Sequence, residues 1–360
     1  MRRIKRIVLF VFNALFLWSI FSGICLADDW YEEESGYYTI VKEDENILTL
    51  MAREIFVDDE YISSDNRHYR VSAVDKEKRL ATAIYLGDVE LPHIEEVEDI
   101  ETVSVPKEGN ILLYCTHSAE SYVPSDGAES IEGGGGILDV AESLQKNLEA
   151  RGVSAYLDKT PHEPHDAAAY RRSRNTAIQL IQSKQPVAAI FDIHRDATPK
   201  EEYDLNLTGE PASRVRIVIG RGNQNAEANK ELAYKIKAVA DKTHPGLIKD
   251  VFLGKGMYNQ ELSPRSLLFE MGTHEIEKEA VEISTDYLAE VVTNSLFGGE
   301  IEAVEEQKPD EKKPDKKKPR KRFRTEPIKR EETKSAGKGI LWLAAVVVAG
   351  VIGFMLIRDK

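Results

Sequence analysis

Residues 109–297 alternate between short apolar runs and longer stretches with apolar residues at helical spacing. The apolar runs are nearly continuous, which is typical of parallel strands that are buried on both faces. The stretches between them, such as residues 137–152, place apolar residues three and four apart and end near glycine. The predicted strands are ILLYCTH, VSAYL, PVAAIFDIH, VRIVIG and SLLFEMG. This alternation predicts an α/β domain over residues 106–298, with a twisted, mostly parallel sheet and helices on both faces.

Residues 28–105 have a different pattern. GYYTIV, RHYRVSAV and ATAIYLG alternate or cluster β-branched and aromatic residues between polar turns, which predicts strands. NILTLMAREIF fits either a short helix or a strand. We expect a small β-rich domain, and its sequence has no grouping of histidine, cysteine and carboxylate residues, so it leaves the role of this domain open.

Both ends of the chain carry long apolar segments. Residues 1–27 begin with basic residues, continue with an apolar stretch and close with Cys25-Leu26-Ala27, which is typical of a secretory signal peptide. An uncleaved anchor helix is the alternative, because the apolar stretch is longer than most signal cores. Residues 339–357 are predicted to form a transmembrane helix, since 340–357 are 18 uncharged residues, enough to cross a bilayer.

Between the globular part and this helix, residues 299–338 include KKPDKKKPRKRFR and have almost no aliphatic residues, which predicts a disordered basic linker. We interpret it as a solvated tether with weak adhesion to anionic lipids or wall polymers. The expected topology is a single-pass protein of the cell membrane. Its catalytic domain lies outside the cytoplasm and its C-terminus lies inside, as the positive-inside rule favours.

Charge is distributed unevenly along the chain. The net charge is −14, yet both ends are net positive, so the globular middle carries the whole acidic excess. A globular part this acidic would repel phosphate groups. We therefore expect no nucleic-acid partner.

Chemically suggestive residues follow three of the predicted strands. His117 and Glu120 come after ILLYC, His194 lies at the end of AAIFDIH, and Glu270 lies near the end of SLLFEMG. Because ligand sites of α/β sheets lie outside the carboxyl ends of the strands, we expect these side chains to meet.

Two imidazoles and a carboxylate are the ligands of a catalytic zinc, which leaves its fourth position to water. The spacing predicts His117, Glu120 and His194 as the metal ligands and Glu270 as the general base that accepts a proton from that water. Asp192 or Asp196 is expected to orient an imidazole from behind.

The chain resembles the stage II sporulation protein P family, peptidoglycan hydrolases of endospore-forming bacteria that are similar to zinc-dependent N-acetylmuramoyl-L-alanine amidases. The resemblance covers residues 109–297 and rests on several motifs in the family's order: YCTHSAESY, FDIHRD, GNQNAEAN, HPGLIKD, YNQELSP and SLLFEMG. It implies Zn²⁺ as cofactor, His117 and His194 as ligands, and Glu270 at the place of the catalytic glutamate. It also implies cleavage of the N-acetylmuramoyl-L-alanine amide bond, with a second activity on peptide cross-links.

The resemblance leaves the third ligand open. In the related amidases a ligand glutamate lies just before the first helix, which points to Glu132 beside the run of four glycines that begins at Gly133. We prefer Glu120, because its spacing to His117 is compact. Arg195 is predicted to bind a stem-peptide carboxylate, with pairing to a neighbouring aspartate as the alternative. His165 is predicted to polarise substrate from the loop PHEPHD.

Two other functions remain open from the sequence. The first is a zinc carboxypeptidase or endopeptidase that acts on stem peptides with similar ligands. The second is a non-catalytic wall-binding scaffold with a hydrolase-like fold. The resemblance further implies a role in sporulation and engulfment of the forespore, with peptidoglycan as substrate and a complex with sporulation proteins at the membrane.

Overall fold

The computed structural model describes residues 36–94, 108–166 and 168–298, and a two-residue strand at 301–302. The predicted signal segment at 1–27, the predicted transmembrane helix at 339–357 and nearly all of the predicted linker at 299–338 lie outside the described residues. Within the described ranges, no helix is long and apolar enough to cross a membrane.

Fifteen strands and five α-helices are present in the described part of the chain. The strands are β1 Tyr38–Lys42, β2 Ile47–Met51, β3 Glu60–Ile62, β4 Arg67–Asp75, β5 Leu80–Asp88, β6 His93–Ile94, β7 Asn110–Tyr114, β8 Ala155–Leu157, β9 Val187–Asp196, β10 Asp204–Leu207, β11 Glu210–Ser213, β12 Val215–Gly220, β13 Ile248–Gly254, β14 Ser266–Thr273 and β15 Ile301–Glu302. The helices are α1 Val123–Asp126, α2 Ile137–Ala150, α3 Ala169–Ser183, α4 Ala226–Thr243 and α5 Lys278–Phe297.

One sheet of eleven strands runs through the molecule in the order β2-β1-β5-β4-β3-β13-β12-β14-β9-β7-β8. Strands β8, β7, β9 and β14 are parallel to one another, whereas β12 and β13 are parallel to each other and β12 pairs antiparallel with β14. The mixed α/β fold with a large central sheet is therefore confirmed. The segment NILTLMAREIF forms a strand and not a helix, because β2 occupies its first half.

The sheet is covered on both faces. Helices α2, α4 and α5 lie on one face, where they bury the side chains of alternate residues such as Ile111, Leu113 and Phe191. On the opposite face α3 packs over Leu112 and Ile190. Successive residues of each strand are thus buried on opposite faces, which explains why the strand sequences are continuous apolar runs.

The β-rich segment does not stand apart as the small separate domain that its sequence predicts. Strand β3 pairs with β13, so β1 to β5 extend the same sheet. Residues of the β-rich segment also pack on the face beside α3, where they bury Val218, Phe252 and Leu268. The reason is that this part of the sheet has no helix of its own, and the N-terminal segment supplies its apolar cover. The site described next lies beside this contact.

Candidate metal centre and active site

The predicted site residues meet at one edge of the sheet. Strands β7, β9 and β14 are adjacent and parallel, so their carboxyl ends lie side by side. His117 and Glu120 lie in the turn after β7, and His194 is in β9. Glu270 of β14 is the direct register partner of His194. Sheet topology thus brings together four residues that are up to about 150 positions apart in the sequence.

Three of these residues form a buried group of potential metal ligands. Nδ1 of His117 lies 3.5 Å from Oε1 of Glu120, and Nδ1 of His194 lies 3.7 Å from the same oxygen. Each of the three residues offers one potential ligand atom, and these three atoms lie within 4.8 Å of one another. Glu132, the alternative third ligand, is exposed to solvent. The structure therefore brings Glu120, and not Glu132, to the two histidines.

Glu120 is held from both its side chain and its backbone. Its second carboxylate oxygen, Oε2, accepts a hydrogen bond of 2.9 Å from the backbone N–H of Arg195. Its carbonyl oxygen accepts one of 3.0 Å from the N–H of Ile137 at the start of α2. Gly135 packs so closely on this turn that a Cβ there would lie 2.0 Å from the same carbonyl oxygen. Part of the glycine run is thus explained by close backbone packing.

Asp192 supports the site from behind, as one of the two predicted orienting residues. Its Oδ1 lies 3.0 Å from Nε2 of His194, which leaves Nδ1 of that imidazole facing Glu120. Thr116 fixes Asp192 in turn, with its N–H at 2.8 Å and its hydroxyl at 2.5 Å from the carboxylate. Asp196, the other prediction, instead accepts hydrogen bonds from Arg216 and Tyr203 and does not contact an imidazole.

The charges in this group stabilise one another. Burial opposes ionisation of Glu120, but the nearby imidazoles of His117 and His194 hold the pKa of its carboxyl well below the ordinary value. Burial also opposes the charge on His194, and the carboxylates of Asp192 and Glu120 outweigh it and raise the pKa of that imidazole. A metal cation would take the place of these protons between the same groups.

Glu270 lies in a different electrostatic environment. Burial raises the pKa of Glu270 to about 7, against the opposing charge of Arg53. Its Oε1 forms an ion pair of 3.1 Å with Nη2 of Arg53, while Oε2 has no hydrogen-bond partner among the described residues. A buried carboxyl group with a pKa near neutrality suits proton transfer.

Arg53 is the residue that sequence reasoning missed. It lies just after β2 in the β-rich segment, whose role the sequence leaves open. One signal was available in the sequence, because Arg53 lies two residues from Met51 and two from Ile55, in an alternating pattern. Met51 and Ile55 are both fully buried in the structure. An arginine in the buried phase of an alternating segment requires a buried partner.

The two predicted substrate residues have different surroundings. His165 is exposed and stacks on His117 with 4.2 Å between ring centroids, so it lies at the solvent side of the site. The guanidinium of Arg195 donates to the backbone carbonyls of Ser121 and Glu129, at 3.2 and 2.7 Å. It does not pair with Asp192 or Asp196 in these contacts, and it holds the loop that follows Glu120. Substrate binding by Arg195 and His165 stays a prediction.

Asn259 and Gln260 of the polar motif YNQELSP form hydrogen bonds to other parts of the chain. Gln260 exchanges two hydrogen bonds of 2.8 Å with the backbone of Val218 and Gly220 in β12. The amide of Asn259 donates to the Tyr170 carbonyl and to the Ser173 hydroxyl in α3, at 3.0 and 3.1 Å. The motif therefore fixes one wall of the site.

A model of the family described as stage II sporulation protein P matches residues 31–293, most of the chain. The chain belongs to this family. Among curated relatives, stage II sporulation protein P of Bacillus subtilis (strain 168) is 27% identical over 207 residues, or 53% of this chain and 52% of the relative. The chain thus matches about half the length of that family member.

Solved structures to which the chain is similar include amidases. The CwlD amidase from Clostridioides difficile, solved in complex with the GerS lipoprotein, is 16% identical and has a TM-score of 0.35, with 52% of this chain and 95% of that chain covered. The N-acetylmuramyl-L-alanine amidase Ami1 from Mycobacterium smegmatis is 14% identical and has a TM-score of 0.36, with 54% and 99% covered. Because both TM-scores lie below 0.5, neither likeness bears on the chemistry of the site.

Proposed function

We propose that this member of the stage II sporulation protein P family is a zinc-dependent peptidoglycan hydrolase that cleaves the N-acetylmuramoyl-L-alanine amide bond during sporulation. The observation that carries the proposal is the buried convergence of His117, Glu120 and His194, each with one potential ligand atom within 4.8 Å of those of the other two. Family membership supports the biological setting.

The residues fit zinc by their chemistry. Two imidazole nitrogens and one carboxylate oxygen are a common ligand set of catalytic zinc, and three protein ligands leave one position for water or substrate. The orienting contact from Asp192 to His194 is the support that metal-binding histidines usually have. Zinc bound here would supply Lewis-acid chemistry.

Residues of the protein would carry out proton transfer and substrate binding. Glu270 takes a proton from the attacking water and returns it to the leaving amine, a role that matches its buried carboxyl and its pKa near 7. His165 at the solvent side and Arg195 beside the Glu120 loop are the proposed contacts to the sugar or the stem peptide.

The decisive experiment is digestion of purified sacculi with the full-length chain, followed by mass spectrometry of the released fragments and zinc analysis of the protein. Release of stem peptides with a free L-alanine amine is the expected result. Cleavage within the peptides would instead indicate an endopeptidase or carboxypeptidase, and zinc-loaded protein without any release would indicate a scaffold.

Variants separate binding from catalysis. His117→Ala and His194→Ala should lose zinc and activity together, because two protein ligands hold zinc poorly. Glu270→Gln should keep zinc while turnover falls by roughly 10²–10⁴-fold, the usual contribution of a positioned general base. Wild-type turnover in Glu270→Gln would exclude the proposed mechanism.

The proposal places the enzyme at the membrane. Its support is the sequence pattern of residues 1–27 and 339–357 together with the basic residues between 299 and 338. The chain would be anchored by its C-terminal helix with the hydrolase outside the cytoplasm. The sporulation complex implied by the family resemblance would form on that side.

A further inference from the structure

The β-rich segment contributes a charged side chain to the active site. Arg53 is only 5% exposed, and the two side chains of its ion pair with Glu270 are 6% and 7% exposed. The two residues are 217 positions apart. No other cation forms an ion pair with Glu270 among the described residues.

Aromatic side chains hold the guanidinium in place. Its Cζ lies 5.2 Å from the ring centroid of Tyr258 and 6.0 Å from that of Phe252. Both distances are within the range of cation–π contacts, which attract a cation to the ring face. Arg53 is therefore oriented from one side by rings and from the other by the carboxylate of Glu270.

The backbone just before Arg53 is anchored at two points. The N–H of Ala52 donates to Asp196 at 3.3 Å, and Arg216 donates to the carbonyl of Leu50 at 3.1 Å. Asp196 and Arg216 are themselves joined by a buried ion pair of 2.7 Å. The segment is thus a fixed wall of the site, which argues against a removable inhibitory strap.

We propose that Arg53 is a positioning residue for the base: it holds Glu270 through Oε1 and leaves Oε2 to exchange the proton. The inference rests on the proposed function, because Glu270 acts as base only if the site is hydrolytic. It also assigns a role to the β-rich segment, which completes the catalytic machinery of the α/β domain.

The test is a mutant cycle in the full-length chain. The variants are Arg53→Met, which keeps an unbranched stem against the rings, Arg53→Lys, Glu270→Gln, and the double variant Arg53→Met/Glu270→Gln. Arg221→Met is the matched control, because Arg221 forms an ion pair of 3.1 Å with Asp59 and joins the same two segments away from Glu270. Each is measured for zinc content, for kcat and KM on sacculi, and for its urea unfolding midpoint.

Arg53→Met should lower kcat by about 10–100-fold, leave KM within about threefold, and keep stoichiometric zinc, since the interaction acts on the base and not on substrate binding. Arg53→Lys should recover part of the loss. In the Glu270→Gln background, Arg53→Met should have almost no further effect on kcat, because residues that act as one unit are not additive. Arg221→Met should keep the wild-type kcat.

Several results would overturn the inference. The inference is wrong if Arg53→Met keeps the wild-type kcat. It is also wrong if the fold-loss of kcat in the double variant equals the product of the fold-losses in the two single variants. The unfolding midpoints give a readout that does not need activity: Arg53→Met should lower the midpoint more in the wild-type background than in Glu270→Gln, because only the former leaves a buried carboxylate without its partner. Equal shifts of the unfolding midpoint in the two backgrounds would show that Arg53 and Glu270 do not interact. A wild-type chain that binds zinc but releases nothing from sacculi would refute the proposed function. The unfolding midpoints would still show whether Arg53 and Glu270 interact.

Discussion

Gly135 offers a sharp test of how the glycine run supports the metal centre. A Cβ at this position would lie 2.0 Å from the Glu120 carbonyl oxygen and 2.5 Å from that of Ala119. Such contacts are not found below 3.0 Å, so Gly135→Ala requires the two backbones to separate by about 1 Å. The N–H of Gly135 also donates to the Ser118 carbonyl at 2.7 Å, so the movement strains the whole turn that carries Glu120.

The expected magnitude follows from the cost of overpacking, about 1–3 kcal/mol. Metal sites tolerate ligand displacements of only about 0.2 Å, so we expect much of this cost to appear as weaker zinc binding. At about 1.4 kcal/mol for each factor of ten, the zinc Kd should rise by about 5- to 150-fold. Competition with a fluorescent chelator, on the full-length chain, measures it.

Gly133→Ala is the matched control. No atom lies within 4 Å of a Cβ at that position, although its φ of +85° disfavours any side chain. The substitution should cost about 1–2 kcal/mol of stability from backbone strain, with no clash against the Glu120 turn. It should therefore lower the unfolding temperature without changing the zinc Kd. If Gly135→Ala binds zinc like the wild type, the proposed link between the glycine run and Glu120 is wrong.

Four further outcomes are expected. Glu120→Ala should lose zinc while Glu132→Ala keeps one zinc per chain, as measured by atomic absorption. The opposite results would make Glu132, and not Glu120, the third zinc ligand. Asp192→Asn should weaken zinc binding by about 10–100-fold in the same chelator assay, since the ligand imidazole loses its orienting carboxylate, and an unchanged Kd would show that the contact is dispensable. A reporter fused after Lys360 should be cytoplasmic, and a surface-exposed reporter would contradict the proposed topology. Neutralising the basic residues of 312–324 should reduce binding to anionic vesicles at low salt but not at high salt, and equal binding at low salt would exclude an electrostatic role.

The sequence predicts the edge of the sheet where the site lies, because residues at the carboxyl ends of adjacent parallel strands must meet there. His117, Glu120, His194 and Glu270 were found from that rule, each within a few residues of a recognisable strand. Arg53 could not be found in this way. Its contact with Glu270 depends on the β-rich segment packing over β12 to β14, which no local pattern specifies.

Other contacts were unpredictable for the same reason. The sequence shows a run of glycines, but only the folded backbone shows that Gly135 packs against the Glu120 carbonyl. Arg195 follows a ligand histidine, a position that suggests substrate binding, yet its guanidinium donates to carbonyls of the neighbouring loop. The polar residues of YNQELSP could contact substrate or form a polar turn, and the partners of Asn259 and Gln260 are backbone groups and the Ser173 hydroxyl.

The pairing of β3 with β13 also governs how the chain can assemble. All seven residues of β13 are buried, and without β3 the apolar part of this strand, Val251 to Leu253, would be a sheet edge with unpaired N–H and C=O groups, which favours aggregation. A fragment that began at residue 108 would expose this edge together with the face over Phe252 and Leu268. Because about 190 residues separate β3 from β13, the pairing must also close a long loop, so we expect it to form late in folding. The proposed active site would then stay incomplete until nearly the whole globular part had emerged, because a partly folded chain would lack the contact between Arg53 and Glu270.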